Sequence, residues 1–206
     1  TVFSFHPVKI ITTAEGGMVM TNDAAMAAKL ERLRSHGITR DAALMEAEPE
    51  GPWVYEQVEL GLNYRLTDLQ AALGFSQLSQ LESSVARRHA IARRYDSELA
   101  ALPLITPHQS PDAHSALHLY PIQLERRRST LTRRQLFDGL RAAGIGVNVH
   151  YIPVHTQPHY RRLGFAPGQC PVAEAYYAQA VSLPMFPTLT DAQQGEVIAA
   201  LRRLLG

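Results

Sequence analysis

The 206-residue sequence predicts a mixed α/β chain whose later part reads as a small α+β domain. Three observations point there. Hydrophobic residues make up 46% of the chain, enough to bury a core, and charged residues are 19%, too few for a tail-like or disordered protein. Short strand-like runs alternate with helical ones. Three helices are also marked by the same local signature, a threonine with a glutamine three residues later, the form of a capping box.

The elements follow in order. Val2-Phe3-Ser4-Phe5 reads as a short strand, stopped by Pro7, which lacks an N–H and fixes φ. Gly16-Gly17 is a turn, and Met18 to Thr21 is a second strand closed by Asn22-Asp23. A helix is predicted from Ala24 to Arg34 with Gly37 as its stop. Thr39 to Leu60 reads as a loop, with Pro49, Gly51 and Pro52 breaking it and Trp53 and Tyr55 as aromatic anchors. Thr67 and Gln70 open a helix in which Leu69, Ala72, Leu73 and Ser76 recur at helical spacing. An arginine-rich amphipathic helix runs from Glu82 to Ala101, ended by Pro103. The domain junction is expected near its start, dividing the chain into 1–85 and 86–206.

Beyond it, His118 to Ile122 is a strand candidate. Thr132 and Gln135 open a helix to Ala143, with Gly144 at its end. Val147 to Tyr151 alternates like a strand. Pro171 to Val181 and Asp191 to Leu205 read as helices, the last opened by Thr190 and Gln193, and Tyr176-Tyr177 is assigned to the core.

Bulk properties exclude several functions. A net charge of +1 gives no electrostatic case for nucleic acid or a membrane surface. The recurring Arg-Arg pairs, such as Arg87-Arg88 and Arg133-Arg134, lie along helical stretches and read as solvated faces. Cys170 is the only cysteine, so no disulfide forms within the chain and no thiolate metal site exists, which suits a reducing cytoplasm. No apolar run has the length of a membrane span, and no secretory signal is visible. His150, His155 and His159 are interrupted by Pro153 and Pro158, so no single helix aligns them for a metal.

The chemistry gathers at Lys9. It is one of only two lysines, against eighteen arginines. Lys29 sits mid-helix beside Glu31 and Arg32, where a solvated role suffices. Lys9 follows a strand within the apolar run Ser4-Phe5-His6-Pro7-Val8-Lys9-Ile10-Ile11-Thr12-Thr13. Desolvation there disfavours the charged amine and favours attack on an aldehyde. Ser4 and Thr12 or Thr13 offer hydroxyls for a phosphate. A surface lysine on a loop is the bland alternative.

Ser4-to-Lys9, Thr12-Thr13 and Glu15-Gly16-Gly17 together resemble the cofactor-lysine motif of the DegT-type sugar-nucleotide aminotransferases. Further pieces match in the same order: Arg34-Ser35-His36-Gly37, Gly61-Leu62-Asn63-Tyr64-Arg65 running on through Thr67-Asp68-Leu69-Gln70-Ala71-Ala72, His118 to Ile122, Val149-His150-Tyr151 with Pro153, and Ser182-Leu183-Pro184. The resemblance covers nearly the whole chain. It implies the C-terminal part of a PLP-dependent transferase of the aspartate-aminotransferase type I fold, the end of the large domain plus the small domain. Within the family, Phe3 to Gly17 and Gly51 to Gln57 look most like the branch serving pseudaminic acid biosynthesis. That branch aminates C4 of a UDP-linked 2-acetamido-2,6-dideoxy-4-keto-hexose with glutamate as donor.

The resemblance also implies roles. Lys9 would bind pyridoxal 5'-phosphate as a Schiff base and act as the acid/base of the proton shift once freed. Ser4 would touch the cofactor phosphate, and His6 would lie close to the cofactor. Asn63 would reach the phosphate of a partner subunit's cofactor, with Arg65 nearby, so a cytoplasmic homodimer with shared active sites is expected. His150 and Tyr151 are assigned to the sugar-nucleotide side. The family's aromatic and acid that flank the pyridine ring, and its phosphate loop, have no counterpart in the eight residues before Lys9. A longer natural protein is therefore expected, and a chain inactive by itself. Two other readings stand beside the enzyme: a non-catalytic dimerisation or interaction module, and, more remotely, a metal-dependent hydrolase built on the histidines. A related dehydratase branch carries histidine where this sequence has Lys9.

Overall fold

A computed structural model describes all of residues 1–206. It divides into two compact units, Thr1–Leu81 and Glu82–Gly206.

In the first unit, strands β1 (Val2–Ser4) and β2 (Gly17–Val19) pair antiparallel, with Phe3 opposite Met18. Helix α1 (Ala24–Leu33) is opened by Asp23, whose carboxylate accepts from the Met26 N–H at 3.0 Å. It stops as the sequence predicts: His36 and Gly37 take left-handed φ values of 65° and 70°, and the Gly37 N–H returns to the Arg32 carbonyl. The predicted loop from Thr39 to Leu60 is more ordered than expected. Strands β3 (Ile38–Thr39) and β4 (Glu56–Gln57) pair antiparallel across it, and Asp41 caps a single 3-10 turn at Ala42–Leu44. The Glu56 carboxylate ties the loop together by accepting from the Glu46 and Ala47 N–H groups at 2.7 and 3.1 Å. Trp53 and Tyr55 are not anchors. They stand 69% and 54% exposed, because backbone-to-carboxylate bonds, and not aromatic packing, hold this loop. Helix α2 (Asp68–Leu78) starts in the full capping box of Thr67 and Gln70.

Every buried hydrophobic residue of the chain lies in the second unit, from Ile91 onward. Its centre is a three-stranded antiparallel sheet in the order β5 (Leu104–Ile105), β6 (Tyr120–Leu124), β7 (Ala180–Leu183). β6 alternates as a half-buried strand should, with Tyr120, Ile122 and Leu124 inward. Helices α3 (Leu81–Leu99), α4 (Arg133–Ala142) and α7 (Asp191–Leu205) cover the sheet, contributing Ile91, Tyr95, Leu136, Leu140, Val197 and Leu201 to the core. Both remaining capping boxes form, at Thr132/Gln135 and Thr190/Gln193. A Cβ on Gly139 would meet the Leu204 side chain at 2.8 Å, so this glycine leaves room for Leu204 where α4 packs on α7. The short helices α5 (Pro158–Arg162) and α6 (Pro171–Tyr177) complete the unit.

Four expectations are corrected here. The strand expected at Val147 to Tyr151 is reduced to one bridge, Asn148 to Ser182, because the Asn148 side chain takes the next N–H, that of Val149, at 2.8 Å. The helix expected to reach Val181 ends at Tyr177. Its last predicted turn is β7, since a short apolar run reads alike in either periodicity. Tyr176 and Tyr177 are half-buried at the edge of the core. Arg88 is not on a solvated face: it is 5% exposed and donates through one guanidinium nitrogen to the Leu117, His118 and Met185 carbonyls at 3.0 to 3.1 Å. Burial lowers its pKa, and the three carbonyls offset part of that cost. Arg133 likewise lies over the Tyr177 ring at 4.2 Å.

Candidate active site: the Lys9 arch

β1 and β2 are joined by a closed arch over residues 5–16. Its foot is the Phe5 N–H donating to the Gly16 carbonyl at 2.9 Å, and the Thr13 N–H returns to the Phe5 carbonyl at 3.0 Å. Pro7 occupies the second position of a turn that ends with the Lys9 N–H on the His6 carbonyl at 2.9 Å, a place that suits its fixed φ. Lys9 is half-buried on this turn, and its amine takes part in no ion pair or hydrogen bond. His6 Nε2 stands 3.9 Å from Glu15 Oε1, a loose contact between exposed side chains that helps span the arch. Ser4 is exposed at the end of β1.

The two threonines do a different job from the one expected. Thr12 Oγ1 donates to the Phe5 carbonyl at 2.9 Å and accepts from the Ala14 N–H. Thr13 is 2% exposed and donates to the Glu15 carbonyl at 2.8 Å. Each hydroxyl has a single proton, so neither is left to donate to a phosphate. They hold the arch in shape.

The arch rests on α2. A Cβ on Gly74 would meet Thr13 Cγ2 at 2.7 Å, and one on Gly16 would fall 2.4 Å from Thr13 Oγ1 and 3.0 Å from Leu66 Cδ1. Gln70 bonds directly to the arch, its Nε2 donating to the Glu15 carbonyl at 3.0 Å. Sequence reasoning assigned Gln70 to the helix cap alone. Nothing local signals the second bond.

Asn63 and Arg65 belong to a second cluster of the same unit. The Leu62 N–H donates to the Leu33 carbonyl, the His36 N–H to Leu62 and the Tyr64 N–H to Arg34, at 2.7 to 2.8 Å. Asn63 bridges Ser35, and an Arg65 guanidinium nitrogen donates to Ser35 Oγ at 3.3 Å. The segments read separately as Arg34-to-Gly37 and Gly61-to-Arg65 are thus one structure. Gly37 and Gly61 make their crossing possible, for a Cβ on either would lie about 2 Å from backbone of the other segment. Asn63 and Arg65 are both exposed and belong to this crossing, not to the arch.

His150 and Tyr151 lie in the second unit. His150 Nδ1 pairs with Ser182 Oγ at 2.8 Å, Asn148 Nδ2 lies 3.3 Å from Nε2, and Tyr151 meets the imidazole edge-on at 4.6 Å. Tyr151 also lines an open apolar depression of about 590 Å3 with Pro153, Pro171, Val172 and Tyr176. Burial lowers the His150 pKa. The unfolded chain therefore takes up this proton at higher pH than the folded one. His150 contributes no pH dependence above its unfolded pKa of about 6.5, and folding is penalised as pH falls through that value. We expect an NMR titration to place His150 below pH 6.5, and His150→Gln to flatten the acid side of the stability profile. A His150 pKa above 6.5 would contradict this environment.

The arch, its supporting helix and the glycine crossing define a scaffold that a family model matches over residues 1–202, and the chain belongs to the DegT/DnrJ/EryC1/StrS aminotransferase family. It is 38% identical, over its full length, to the spore coat polysaccharide biosynthesis protein SpsC of Bacillus subtilis, of which it covers 53%. Among solved structures it is similar to the putative sugar aminotransferase Spr1654 of Streptococcus pneumoniae in its PMP-form, with TM-score 0.86 and 32% identity over 99% of this chain and 52% of that one. It is similar also to Helicobacter pylori PseC, an aminotransferase involved in the biosynthesis of pseudoaminic acid, with TM-score 0.84 and 32% identity over 98% of this chain and 52% of that one. The chain thus spans about half the length of these relatives, and its fold is part of the aminotransferase fold they share. No helix is long and apolar enough to cross a membrane.

Proposed function

We propose that the protein is an aminotransferase that uses pyridoxal phosphate to aminate the C4 keto carbon of a nucleotide-linked deoxy-keto-sugar, with glutamate as donor and Lys9 as the cofactor-holding lysine. The observation that carries this reading is the Lys9 arch, in a chain matched over residues 1–202 by an aminotransferase family. Spr1654 occurs in PMP- and PLP-forms, which supports the cofactor. The relation to PseC and SpsC supports a product destined for a surface glycan, with a pseudaminic acid precursor as the specific choice and another keto-sugar of the same family as the alternative.

The residues present fit the aldehyde end of the cofactor. Lys9 offers an amine with no competing partner on a turn whose shape is fixed by five bonds from backbone and threonine groups. The exposed Ser4 hydroxyl is the arch's candidate donor to the phosphate, whereas Thr12 and Thr13 are occupied. When bound, pyridoxal phosphate supplies the electron sink for breaking the donor Cα–H bond. Lys9 Nζ would then be the acid/base positioned to move a proton between the substrate carbon and the cofactor carbon, from the donor Cα in the first half-reaction and to sugar C4 in the second. His6, beside Lys9 on the arch, is close enough in sequence to line the same space. His150 and Tyr151 are proposed for the sugar-nucleotide side, where a neutral imidazole and an exposed phenol serve as uncharged hydrogen-bonding groups.

The same reading includes a cytoplasmic homodimer in which Asn63 and Arg65 serve the partner's cofactor phosphate. Supporting it, the first unit buries no hydrophobic side chain, while Leu69 and Phe75 on α2 stand 85% and 80% exposed. Exposed apolar side chains of that size call for a cover. Residues 1–85 would then be part of the cofactor-binding domain and 86–206 the small domain.

The test is conversion of a UDP-linked 4-keto-6-deoxy-HexNAc in the presence of glutamate, followed by mass and NMR analysis of C4. Amine at C4 supports the proposal. Amination of a different keto-sugar only would move the substrate assignment to the alternative, and no amine transfer to any keto-sugar nucleotide would refute it.

A further inference from the structure

We propose that Gln70 is a positioning residue for Lys9, linking the start of α2 to the arch. The proposal rests on the reading of Lys9 as the cofactor-holding residue.

Three Thr-x-x-Gln boxes in one chain supply an internal comparison. In each, the glutamine Oε1 accepts from the threonine N–H at 2.9 to 3.0 Å, and the threonine hydroxyl accepts from the glutamine N–H. Capping is therefore satisfied by the carbonyl end of the side chain, which leaves the amide –NH2 free for other use. Gln135 and Gln193 use it for no bond outside their own boxes. Gln70 alone does, reaching 55 residues back to the Glu15 carbonyl at 3.0 Å.

The accepting carbonyl is well chosen. It already receives the Thr13 hydroxyl at 2.8 Å, so Gln70 and Thr13 converge on one peptide group. That peptide precedes Gly16, whose own carbonyl closes the foot of the arch by accepting from Phe5. Phe5 in turn receives the Thr13 N–H and the Thr12 hydroxyl. Gln70 thus fixes the Glu15–Gly16 peptide, that peptide fixes Phe5, and Phe5 fixes both legs of the turn that carries Lys9. Gly16 and Gly74 permit this docking by keeping side chains out of the interface.

Gln70→Glu separates the two roles. Glutamate is the other residue that completes a capping box, and its charge is favourable at a helix N-terminus. It has no –NH2 to donate, and its carboxylate would face the Glu15 carbonyl. Gln135→Glu and Gln193→Glu make the same change where no outside bond exists. In the full protein, hydrogen exchange at the Phe5 and Thr13 amides should accelerate about tenfold in Gln70→Glu, and pyridoxal phosphate affinity should fall about tenfold, as expected for one lost hydrogen bond replaced by a repulsion between two oxygens. The two control variants should leave both readouts at wild-type values. Gln70→Met, which also lacks the donor, should repeat the exchange result if Gln70→Glu folds poorly. A helix-capping role alone would make Gln70→Glu behave like Gln135→Glu, and that result overturns the proposal. The two readings fail separately: a wild-type protein that takes no cofactor at Lys9 refutes the assignment of Lys9, while exchange at Phe5 and Thr13, measured without cofactor, still decides the role of Gln70.

Discussion

Lys9→Ala is expected to lower amino transfer by about 10³-fold, the scale of losing a positioned acid/base group, and to abolish covalent cofactor attachment altogether. The arch should survive the change. Lys9 contributes to it only through its backbone N–H on His6, and the remaining bonds come from Phe5, Thr12, Thr13 and Gly16. Lys29, exposed on α1, is the internal control, and Lys29→Ala should retain wild-type turnover. Steady-state kinetics, with circular dichroism to confirm folding, decide the matter. A Lys9→Ala protein with more than a tenth of wild-type turnover would remove Lys9 from the chemistry.

Gly61→Ala is expected to be among the most damaging small substitutions in the first unit. The added Cβ would lie 2.0 Å from the Gly37 nitrogen and 2.3 Å from the His36 carbonyl carbon. These are backbone atoms, so no side-chain rotation relieves the clash, and the two segments must separate. Gly37 cannot adjust easily, being held at φ 70° with its own Cβ position 1.9 Å from the Glu59 oxygen. The nearby Arg32–Glu59 ion pair at 2.9 Å resists the same movement. Overpacking of this kind costs about 3 kcal/mol. It should lower the thermal midpoint and displace Asn63 and Arg65 together, since both are registered on Ser35 across the crossing. If Asn63 serves a partner's cofactor, Gly61→Ala should also weaken cofactor binding while leaving the Lys9 arch protected from exchange. Gly146→Ala, where a Cβ meets nothing within 4 Å, should be silent in the same assay.

What was legible in the sequence was local chemistry. All three capping boxes form as predicted, because each is completed within four residues by side chains that have no better partner. The end of α1 at His36-Gly37 was readable for the same reason. Misreadings begin where a short segment can satisfy its bonds in more than one way. Asn148 could extend a strand or turn its side chain onto the next N–H, and it does the second. Ala180 to Leu183 is apolar enough for helix or strand, and the partner β6 decides. Arg88 carries a charge that composition assigns to solvent, yet three carbonyls from distant loops give it a buried place. The candidate site divides along the same line. Lys9, the turn at Pro7 and the paired glycines stand out by residue type and spacing. The true partners of Thr12 and Thr13, and the reach of Gln70 to Glu15, depend on α2 docking under the arch, which no window of sequence contains.

Reductive trapping tests the central claim most directly. The full protein is incubated with pyridoxal phosphate, reduced with borohydride, digested, and its phosphopyridoxyl peptides are mapped. The account predicts a stoichiometric label on Lys9 and none on Lys29. A label on Lys29 alone, or shared equally between the two lysines, would contradict it.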